Sequence, residues 1–174
     1  MPSGNEIVRP AILLLCGLPG AGKTTFASEL RAIVAATCVE SDAVRREIFP
    51  SPRFTNGENR VVFAEVERRA ARALQHDELV IIDATNLREE HRARFHPLAL
   101  RFEVPLLTVR FTLPPEAARA RFSRPRDGHS LAGLDVYERM RPTLERPGGR
   151  VVVADSRYPF TAVLRLVQRL LKES

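Results

Sequence analysis

The segment at residues 17–24 has the residue types and spacing of a phosphate-binding loop. It reads GLPGAGKT, fits the pattern G-x-x-x-x-G-K-[ST], and follows the apolar run AILLLC at residues 11–16. Glycines let the backbone turn so that successive N–H groups face one anion, and the N-terminus of the following helix adds a positive field. The sequence therefore predicts that this chain binds a nucleoside triphosphate.

Lys23 and Thr24 have specific roles in such a loop. The Lys23 ammonium would reach the β- and γ-phosphate oxygens, and the Thr24 hydroxyl would ligate Mg²⁺. Lysine occurs elsewhere only at position 172, so a chain that otherwise uses arginine has lysine where a compact ammonium suits a phosphate pocket. The predicted cofactor contacts are Gly17, Leu18, Pro19, Gly20, Ala21, Gly22, Lys23, Thr24 and Thr25.

An acid, Asp83, follows a second apolar run, LVII at residues 79–82. An acid at the end of a buried strand can hold the Mg²⁺ shell, through water or through Thr24. The alternative is a carboxylate that caps the next turn. Asn86 is a candidate hydrogen-bond partner for the acceptor or the nucleotide, although asparagine is also a common turn former. We therefore predict Thr24 and Asp83 as metal ligands and Asn86 as a substrate contact.

Asp42 and Arg45 form a third candidate group. They are three residues apart at the start of a predicted helix, so their side chains share one face. A carboxylate can take the proton of an acceptor hydroxyl, and a nearby guanidinium can bind an anionic group on that acceptor. The alternative is that Asp42 is only the N-cap of its helix and Arg45 part of a solvated surface. Spacing alone leaves both interpretations open.

Short apolar runs alternate with helical periods along the chain. This pattern predicts a parallel sheet with helices on both faces and the ligand at the carboxyl ends of the strands. The predicted strands are residues 11–16, 37–40, 78–83, 106–111 and 151–154. The predicted helices are residues 22–35, 42–49, 59–75, 87–102 with a kink at Pro97, 115–122, 134–144 and 160–171.

The order of these motifs resembles the kinase domain of bacteriophage-type 5′-polynucleotide kinases and their bacterial relatives. The resemblance rests on GLPGAGKTT at 17–25, SDAVR at 41–45 and IDATNL at 82–87 followed by a basic helix, and it covers about residues 10–155. It implies a three-layer α/β P-loop kinase fold that uses ATP and Mg²⁺. It also implies that Asp42 is the general base for a 5′-hydroxyl and that Arg45 contacts the adjacent 3′-phosphate. The D-x-T-N segment is shared with seryl-tRNA kinases, so it identifies the clan rather than the substrate.

An arginine-rich segment, RARFSRPRDGH at residues 119–129, falls where such kinases carry a lid. Pro125 and Gly128 discourage a continuous helix, which favours a mobile loop over about residues 119–132. Lid arginines can neutralise charge that develops in the transition state. The resemblance implies two of them, which match Arg121 and either Arg124 or Arg126. We predict Arg121 and Arg124, with Lys23 and Asp42, as the catalytic residues.

Length and composition fit one globular domain over residues 1–174, with residues 1–10 as an N-terminal extension. The chain has 44% hydrophobic residues and a net charge of +6. A basic chain can attract polyanions, but the scarcity of lysine also looks like a compositional bias, so the charge does not decide the partner.

The two cysteines and the hydropathy indicate the compartment. Cys16 and Cys38 are too few and too far apart for a zinc motif and lie in apolar segments, so we expect free buried thiols in a reducing cytoplasm. No apolar run is long enough to span a membrane. We expect a cytoplasmic protein with no obligate protein partner.

Three functions remain open at this point. The first is a Mg²⁺- and ATP-dependent kinase that phosphorylates a nucleic-acid 5′-hydroxyl. The second is a small-molecule kinase on the same fold, because the chain carries no appended phosphatase or ligase domain. The third is an ATP-binding regulator or tRNA-binding ATPase that phosphorylates no acceptor. A charged track leading to Asp42 would favour a polynucleotide, and a closed pocket would favour a small acceptor.

Overall fold

Five parallel β-strands form the centre of the fold. A computed structural model describes residues 8–123 and 133–173. In chain order the elements are β1 (Ala11–Cys16), α1 (Lys23–Arg31), β2 (Ala36–Glu40), α2 (Ser41–Ile48), α3 (Asn56–Leu74), β3 (Leu79–Asp83), α4 (Glu89–Ala93), α5 (His96–Arg101), β4 (Leu106–Thr112), α6 (Pro115–Phe122), α7 (Leu134–Met140), a 3₁₀ turn (Arg141–Thr143), β5 (Val151–Asp155) and α8 (Thr161–Lys172).

The strand order is β2-β3-β1-β4-β5, and every pairing is parallel. Because parallel strands share one polarity, the segments that follow β1, β2 and β3 meet at one edge of the sheet. The register shows this directly, since Asp83 is paired with Leu15 on one side and with Glu40 on the other. The phosphate loop, Asp42 and Asp83 therefore lie at neighbouring strand ends.

Apolar side chains of the central strands alternate between two cores, one on each face of the sheet. Leu13, Leu15 and Ile81 belong to the core that α1, α6, α7 and α8 cover. Ile12, Leu14 and Ile82 belong to the core that α2 and α3 cover, together with Phe95. Burial on both faces requires strands that are apolar at successive positions, as the sequence of β1 is. The predicted three-layer α/β fold is confirmed.

Two predicted helices are wrong in their extent. The predicted helix over residues 87–102 is two helices, α4 and α5, because Pro97 lacks an N–H and is tolerated only in a first turn, here that of α5. The predicted helix over residues 134–144 ends as an α-helix at Met140, and Pro142 lies in the 3₁₀ turn that follows.

The start of α2 also differs from the predicted cap. Glu40 occupies the N-cap position and the cap has no side-chain hydrogen bond, whereas Asp42 lies inside the first turn. The Asp42 carboxylate is therefore not used as the N-cap of its own helix. By contrast, α3 begins at Asn56, earlier than predicted, because the Thr55 hydroxyl accepts a hydrogen bond from the Glu58 N–H at 3.2 Å.

Over residues 8–123 and 133–173, none of the helices combines the length and the apolar character needed to cross a bilayer.

Candidate active site

The loop between β1 and α1 is shaped by two glycines with a left-handed backbone. Gly20 has a φ of 76° and Gly22 a φ of 83°, a region that residues with a Cβ rarely adopt. A Cβ on Gly22 would also lie 3.0 Å from Cζ of Phe160. Leu18 and Ala21 bury their side chains in the core below the loop. The loop is thus held from beneath while Thr24 and Thr25, at the start of α1, are exposed.

Lys23 folds back over the loop that precedes it. Its Nζ donates to the carbonyl oxygens of Gly17 and Leu18 at 3.0 and 3.1 Å. Burial lowers the pKa of the Lys23 ammonium, while the carboxylates of Asp83 and Asp42 act in the opposite direction. Lys23 is therefore a half-buried cation placed between the loop and two acids, where it can bind phosphate oxygens.

Thr24 and Asp83 form the pair predicted to hold a metal ion. The Thr24 hydroxyl donates to Oδ2 of Asp83 at 2.7 Å, and Asp83 is 4% exposed. Burial raises the pKa of Asp83, whereas Lys23 and the Thr24 hydrogen bond lower it. A hydroxyl beside a carboxylate fits Mg²⁺, which takes oxygen ligands, needs only one or two protein groups and keeps several waters.

The described residues hold no cluster of three or more His, Cys, Asp or Glu side chains that could bind a metal ion by itself. A Mg²⁺ ion at Thr24 and Asp83 would therefore depend on phosphate oxygens and water for the rest of its ligands.

Asp42 lies in the first turn of α2, close enough to Lys23 for each charge to shift the pKa of the other. Burial, followed by the charge of Glu40, raises the pKa of Asp42, and the cations Lys23, Arg45 and Arg46 lower it. A half-buried carboxylate beside the phosphate loop, with a raised pKa, has the properties of a general base.

Arg45 points away from solvent and into the contact between α2 and α3. It is 6% exposed, its Nη2 donates to Oδ1 of Asn59 at 2.7 Å, and its guanidinium lies 4.7 Å from the ring centroid of Phe54. Its Nη1 is 3.7 Å from a carboxylate oxygen of Glu58. Among the described residues, neither Nε nor Nη1 of Arg45 has a hydrogen-bond partner. The alternative of a solvated surface arginine therefore does not hold for Arg45, and a buried guanidinium with N–H groups to donate lies one turn from Asp42. The predicted contact of Arg45 with the acceptor stays a prediction.

Asn86 is fully buried and connects two strand ends. Its Nδ2 donates to the carbonyl oxygen of Leu15 at 2.9 Å, and its φ of 46° is left-handed. The Gly17 N–H donates to the carbonyl oxygen of Thr85 at 3.0 Å. In this geometry Asn86 and Gly17 fix the position of the phosphate loop, and their predicted contacts with acceptor and phosphate stay predictions.

Arg121 at the end of α6 contacts the phosphate loop. Its Nη1 donates to the carbonyl oxygen of Gly20 at 2.9 Å, and its Nη2 donates to the carbonyl oxygen of Ser156. A cation in this position lies beside the site predicted for the nucleotide phosphates. Arg124, the second predicted lid arginine, and residues 125–132 of the predicted lid lie outside the described residues.

Two residues that support the phosphate loop were not identified from the sequence. The Ser156 hydroxyl donates to the carbonyl oxygen of Ala21 at 2.6 Å. Phe160 packs edge-to-face against Phe26 and Phe111, and this aromatic cluster lies under Gly22. The position of Ser156 directly after the last strand is the sequence signal that could have identified it, because the segment after β5 reaches the same edge of the sheet.

A groove of about 930 Å³ begins at Thr24 and Asp83 and runs along β2, at the edge of the sheet, between α1 and α3. Its walls carry both charges, and Arg69 is paired with Glu47 and Glu65. Arg68 is also paired with Glu65. Paired arginines do not make a continuous basic track for a polynucleotide.

A family model matches residues 12–147, which is most of the chain and includes the phosphate loop, Asp42 and Asp83. The chain belongs to the AAA_33 family, described as an AAA domain. No curated protein sequence matches the chain. The expected resemblance is thereby confirmed at the level of the P-loop domain, which does not specify an acceptor.

Solved structures with the same fold include kinases. A gluconokinase from Sinorhizobium meliloti has a TM-score of 0.70 at 20% identity, covering 95% of this chain and 96% of that chain. An APS kinase from Mycobacterium tuberculosis in complex with AMPPNP and APS has a TM-score of 0.66 at 18% identity, covering 96% and 99%. Kti12 from Chaetomium thermophilum in complex with ADP-AlF3 has a TM-score of 0.73 at 18% identity, covering 93% and 97%. At these identities the likeness establishes a shared P-loop kinase fold.

Proposed function

We propose that this protein is a kinase that transfers the γ-phosphate of ATP, with Mg²⁺, to a hydroxyl group of an acceptor. The observation that carries the proposal is the arrangement of Asp42 beside the phosphate loop, where Lys23 and the Thr24–Asp83 pair are also placed. A protein that only binds ATP has no need for a carboxylate at this position. Two of the neighbouring structures contain a nucleotide or its analogue, which supports ATP as the donor.

The side chains divide the reaction between them. The Asp42 carboxylate accepts the proton of the acceptor hydroxyl as that oxygen attacks the γ-phosphorus, and the bond to the β–γ bridging oxygen breaks. Lys23 binds β- and γ-phosphate oxygens and stabilises the charge that accumulates on them. Arg121, bonded to Gly20, is placed to add a second positive charge. Thr24 and Asp83 would hold Mg²⁺, which neutralises phosphate charge when bound.

We infer that the acceptor is a small alcohol that carries an anionic group. Arg45 supports the anionic group, because its buried Nε and Nη1 lack hydrogen-bond partners among the described residues and a bound anion would satisfy them. The paired arginines along the groove support a small acceptor over a polynucleotide. A gluconokinase and an APS kinase among the structural neighbours support it too, since both names denote kinases of small anionic molecules.

A nucleic-acid 5′-hydroxyl, the acceptor that the sequence resemblance implies, is the second candidate. The observation that favours it is again Arg45, which lies one turn from Asp42 and could contact a phosphate adjacent to the reacting hydroxyl.

Transfer of labelled γ-phosphate tests these proposals. The protein is incubated with Mg²⁺ and γ-labelled ATP together with gluconate, with sugar phosphates or with a 5′-hydroxyl oligonucleotide. We expect label on a small anionic alcohol, with transfer reduced at least about a hundredfold by Asp42→Asn or Lys23→Ala, in line with the loss of a general base or a charge stabiliser. Asp77→Asn, an exposed turn position with a left-handed φ that asparagine tolerates, is the matched control.

The outcomes separate the candidates. Label on the oligonucleotide alone would establish the second candidate and overturn the small acceptor. Hydrolysis of ATP that no acceptor stimulates, and that Asp42→Asn leaves intact, would overturn the kinase proposal in favour of a nucleotide-dependent regulator or tRNA-binding ATPase.

A further inference from the structure

Arg92 on α4 is a buried arginine that has no part in the proposed chemistry. It is 2% exposed. Its Nη1 donates to the carbonyl oxygens of Asn86 and Leu87 at 2.7 and 2.9 Å. Its Nε and Nη2 donate to one carboxylate oxygen of Glu89 at 3.1 and 2.8 Å. A buried guanidinium that binds two consecutive carbonyl groups fixes the backbone that carries them.

Arg92 binds the backbone segment that follows β3, and this segment is hydrogen-bonded to the end of β1 and to the phosphate loop. Asn86 donates through Nδ2 to the carbonyl oxygen of Leu15, and the Cys16 thiol donates to the carbonyl oxygen of Asn86 at 3.3 Å. The Gly17 N–H donates to the carbonyl oxygen of Thr85, the residue before Asn86. Three consecutive residues of β1 and the loop, 15–17, are therefore bonded to residues 85 and 86.

Asn86 is held mainly by its hydrogen bonds. Its left-handed φ of 46° is one that asparagine tolerates, so the position of this segment against β1 depends on the contacts around it. Without the guanidinium, the Asn86 carbonyl would retain the weak thiol donor of Cys16. The segment would then be free to relax away from β1.

We propose that Arg92 is a positioning residue that sets the distance between the phosphate loop and Asp83. Asp83 is the last residue of β3 and Asn86 lies three residues after it, while Thr24 is in the first turn of α1, which follows the phosphate loop. The 2.7 Å contact between Thr24 and Asp83 therefore depends on how the segment after β3 is held against β1. The kinetic consequence rests on the proposed kinase function, whereas the local structural consequence does not.

The test compares Arg92→Met, which keeps the length of the side chain and removes every donor, with Arg92→Lys, which keeps the charge. Arg94→Met is the matched control, because Arg94 is the C-cap of the same helix, pairs with Glu67 and stacks on Phe63. All variants carry Cys38→Ser, so that Cys16 is the only cysteine. The measurements are the rate at which Cys16 reacts with a thiol reagent, the thermal midpoint, and kcat and KM for Mg-ATP well below each midpoint.

Burial raises the pKa of the Cys16 thiol, and Arg92, whose Nη1 lies 3.8 Å from Cys16 Sγ, lowers it, so labelling is measured over a range of pH and compared per thiolate. On that basis we expect Arg92→Met to increase the labelling rate of Cys16 at least about tenfold. We also expect a fall in kcat of about tenfold to a hundredfold, larger than the change in KM, since small displacements of catalytic groups have effects of this size. Arg92→Lys should show a smaller increase in labelling and a smaller fall in kcat, and should behave like the control in its thermal midpoint. If Arg92→Met does not fold, Arg92→Lys is compared with Arg94→Met, and an intermediate increase in labelling with an intermediate fall in kcat is expected.

A merely structural role has a different signature. If the Arg92 variants lower only the thermal midpoint, while Cys16 labelling and kcat match those of Arg94→Met, the proposal is overturned. If the unsubstituted protein phosphorylates none of the acceptors, the kinase proposal fails, and Cys16 labelling together with Mg²⁺-dependent nucleotide binding still decides the role of Arg92.

Discussion

The chemistry of this site depends on how buried charges are paired. Lys23, Asp42 and Asp83 are each partly or fully withdrawn from water. Lys23 lowers the pKa of both acids, and both acids raise the pKa of Lys23. These residues could be identified from the sequence, because their types and spacing follow motifs that require a particular local backbone geometry. The environment of Arg45 was not predictable, because its partners Phe54, Glu58 and Asn59 depend on how the chain from α2 to α3 turns.

The pH dependence of phosphate transfer should reflect Asp42. The proposed base, Asp42, acts as a carboxylate, so activity is expected above its pKa in the folded protein and should be lost as the pH falls through that value. Because burial and Glu40 raise the pKa of Asp42, activity should begin to fall at a higher pH than for an ordinary aspartate, whose pKa is about 3.9. Glu40→Gln removes one raising charge, so we expect the acid limb of kcat/KM to move to lower pH.

Glu47→Gln is the control for this measurement. Glu47 is on the same helix as Asp42, and its carboxylate pairs with Arg69. Superimposable acid limbs for the unsubstituted protein, Glu40→Gln and Glu47→Gln would contradict the assignment of the limb to Asp42.

At the scale of elements, the strands were easier to predict than the ends of the helices. Six successive apolar residues in β1 allow few structures other than a strand buried on both faces. The split into α4 and α5 depends on the buried Phe95 and on Pro97 starting a new turn, and periodicity does not distinguish this from a kinked helix. The role of Arg92 was also not predictable from the sequence, because its hydrogen-bond partners depend on how α4 packs against the end of β1.

The phosphate loop should tolerate no Cβ at Gly22. Gly22→Ala would place a non-glycine residue at a φ of 83° and bring its Cβ to 3.0 Å from the Phe160 ring, so we expect a loss of about 1–2 kcal/mol in the free energy of unfolding. Nucleotide affinity should fall as well, since the loop would have to change conformation to relieve the strain. Denaturant unfolding and a nucleotide titration measure the two effects.

Gly148→Ala is the matched control for this substitution. No atom lies within 4 Å of a Cβ at Gly148, and its φ is not in the left-handed region. Its free energy of unfolding and its nucleotide affinity should stay close to those of the unsubstituted protein. Equal stability and affinity for the two alanine variants would show that the loop has no need of the left-handed conformation.

At the scale of the whole molecule, the parallel strand order brings distant parts of the chain to one edge of the sheet. Gly17, Asp42, Asp83 and Ser156 are far apart in sequence, and each follows or ends a different strand. The alternation of apolar strands and helices predicted this edge, because parallel connections repeat the same direction. It did not predict the groove along β2, whose walls require the relative placement of α1 and α3.

Ligand binding at this edge should stabilise the entire fold. A nucleotide that binds only the folded chain adds RT ln(1 + [L]/Kd), which is about 2.7 kcal/mol at a concentration one hundred times Kd. We expect Mg-ATP to raise the thermal midpoint by several degrees and Lys23→Ala to lose most of this increase, since the phosphates lose their ammonium. Lys172→Ala, which replaces the other lysine of the chain in the last turn of α8, should keep the full increase. Differential scanning calorimetry over a range of nucleotide concentrations measures the shift, and an equal shift in both alanine variants would place the bound phosphates away from Lys23.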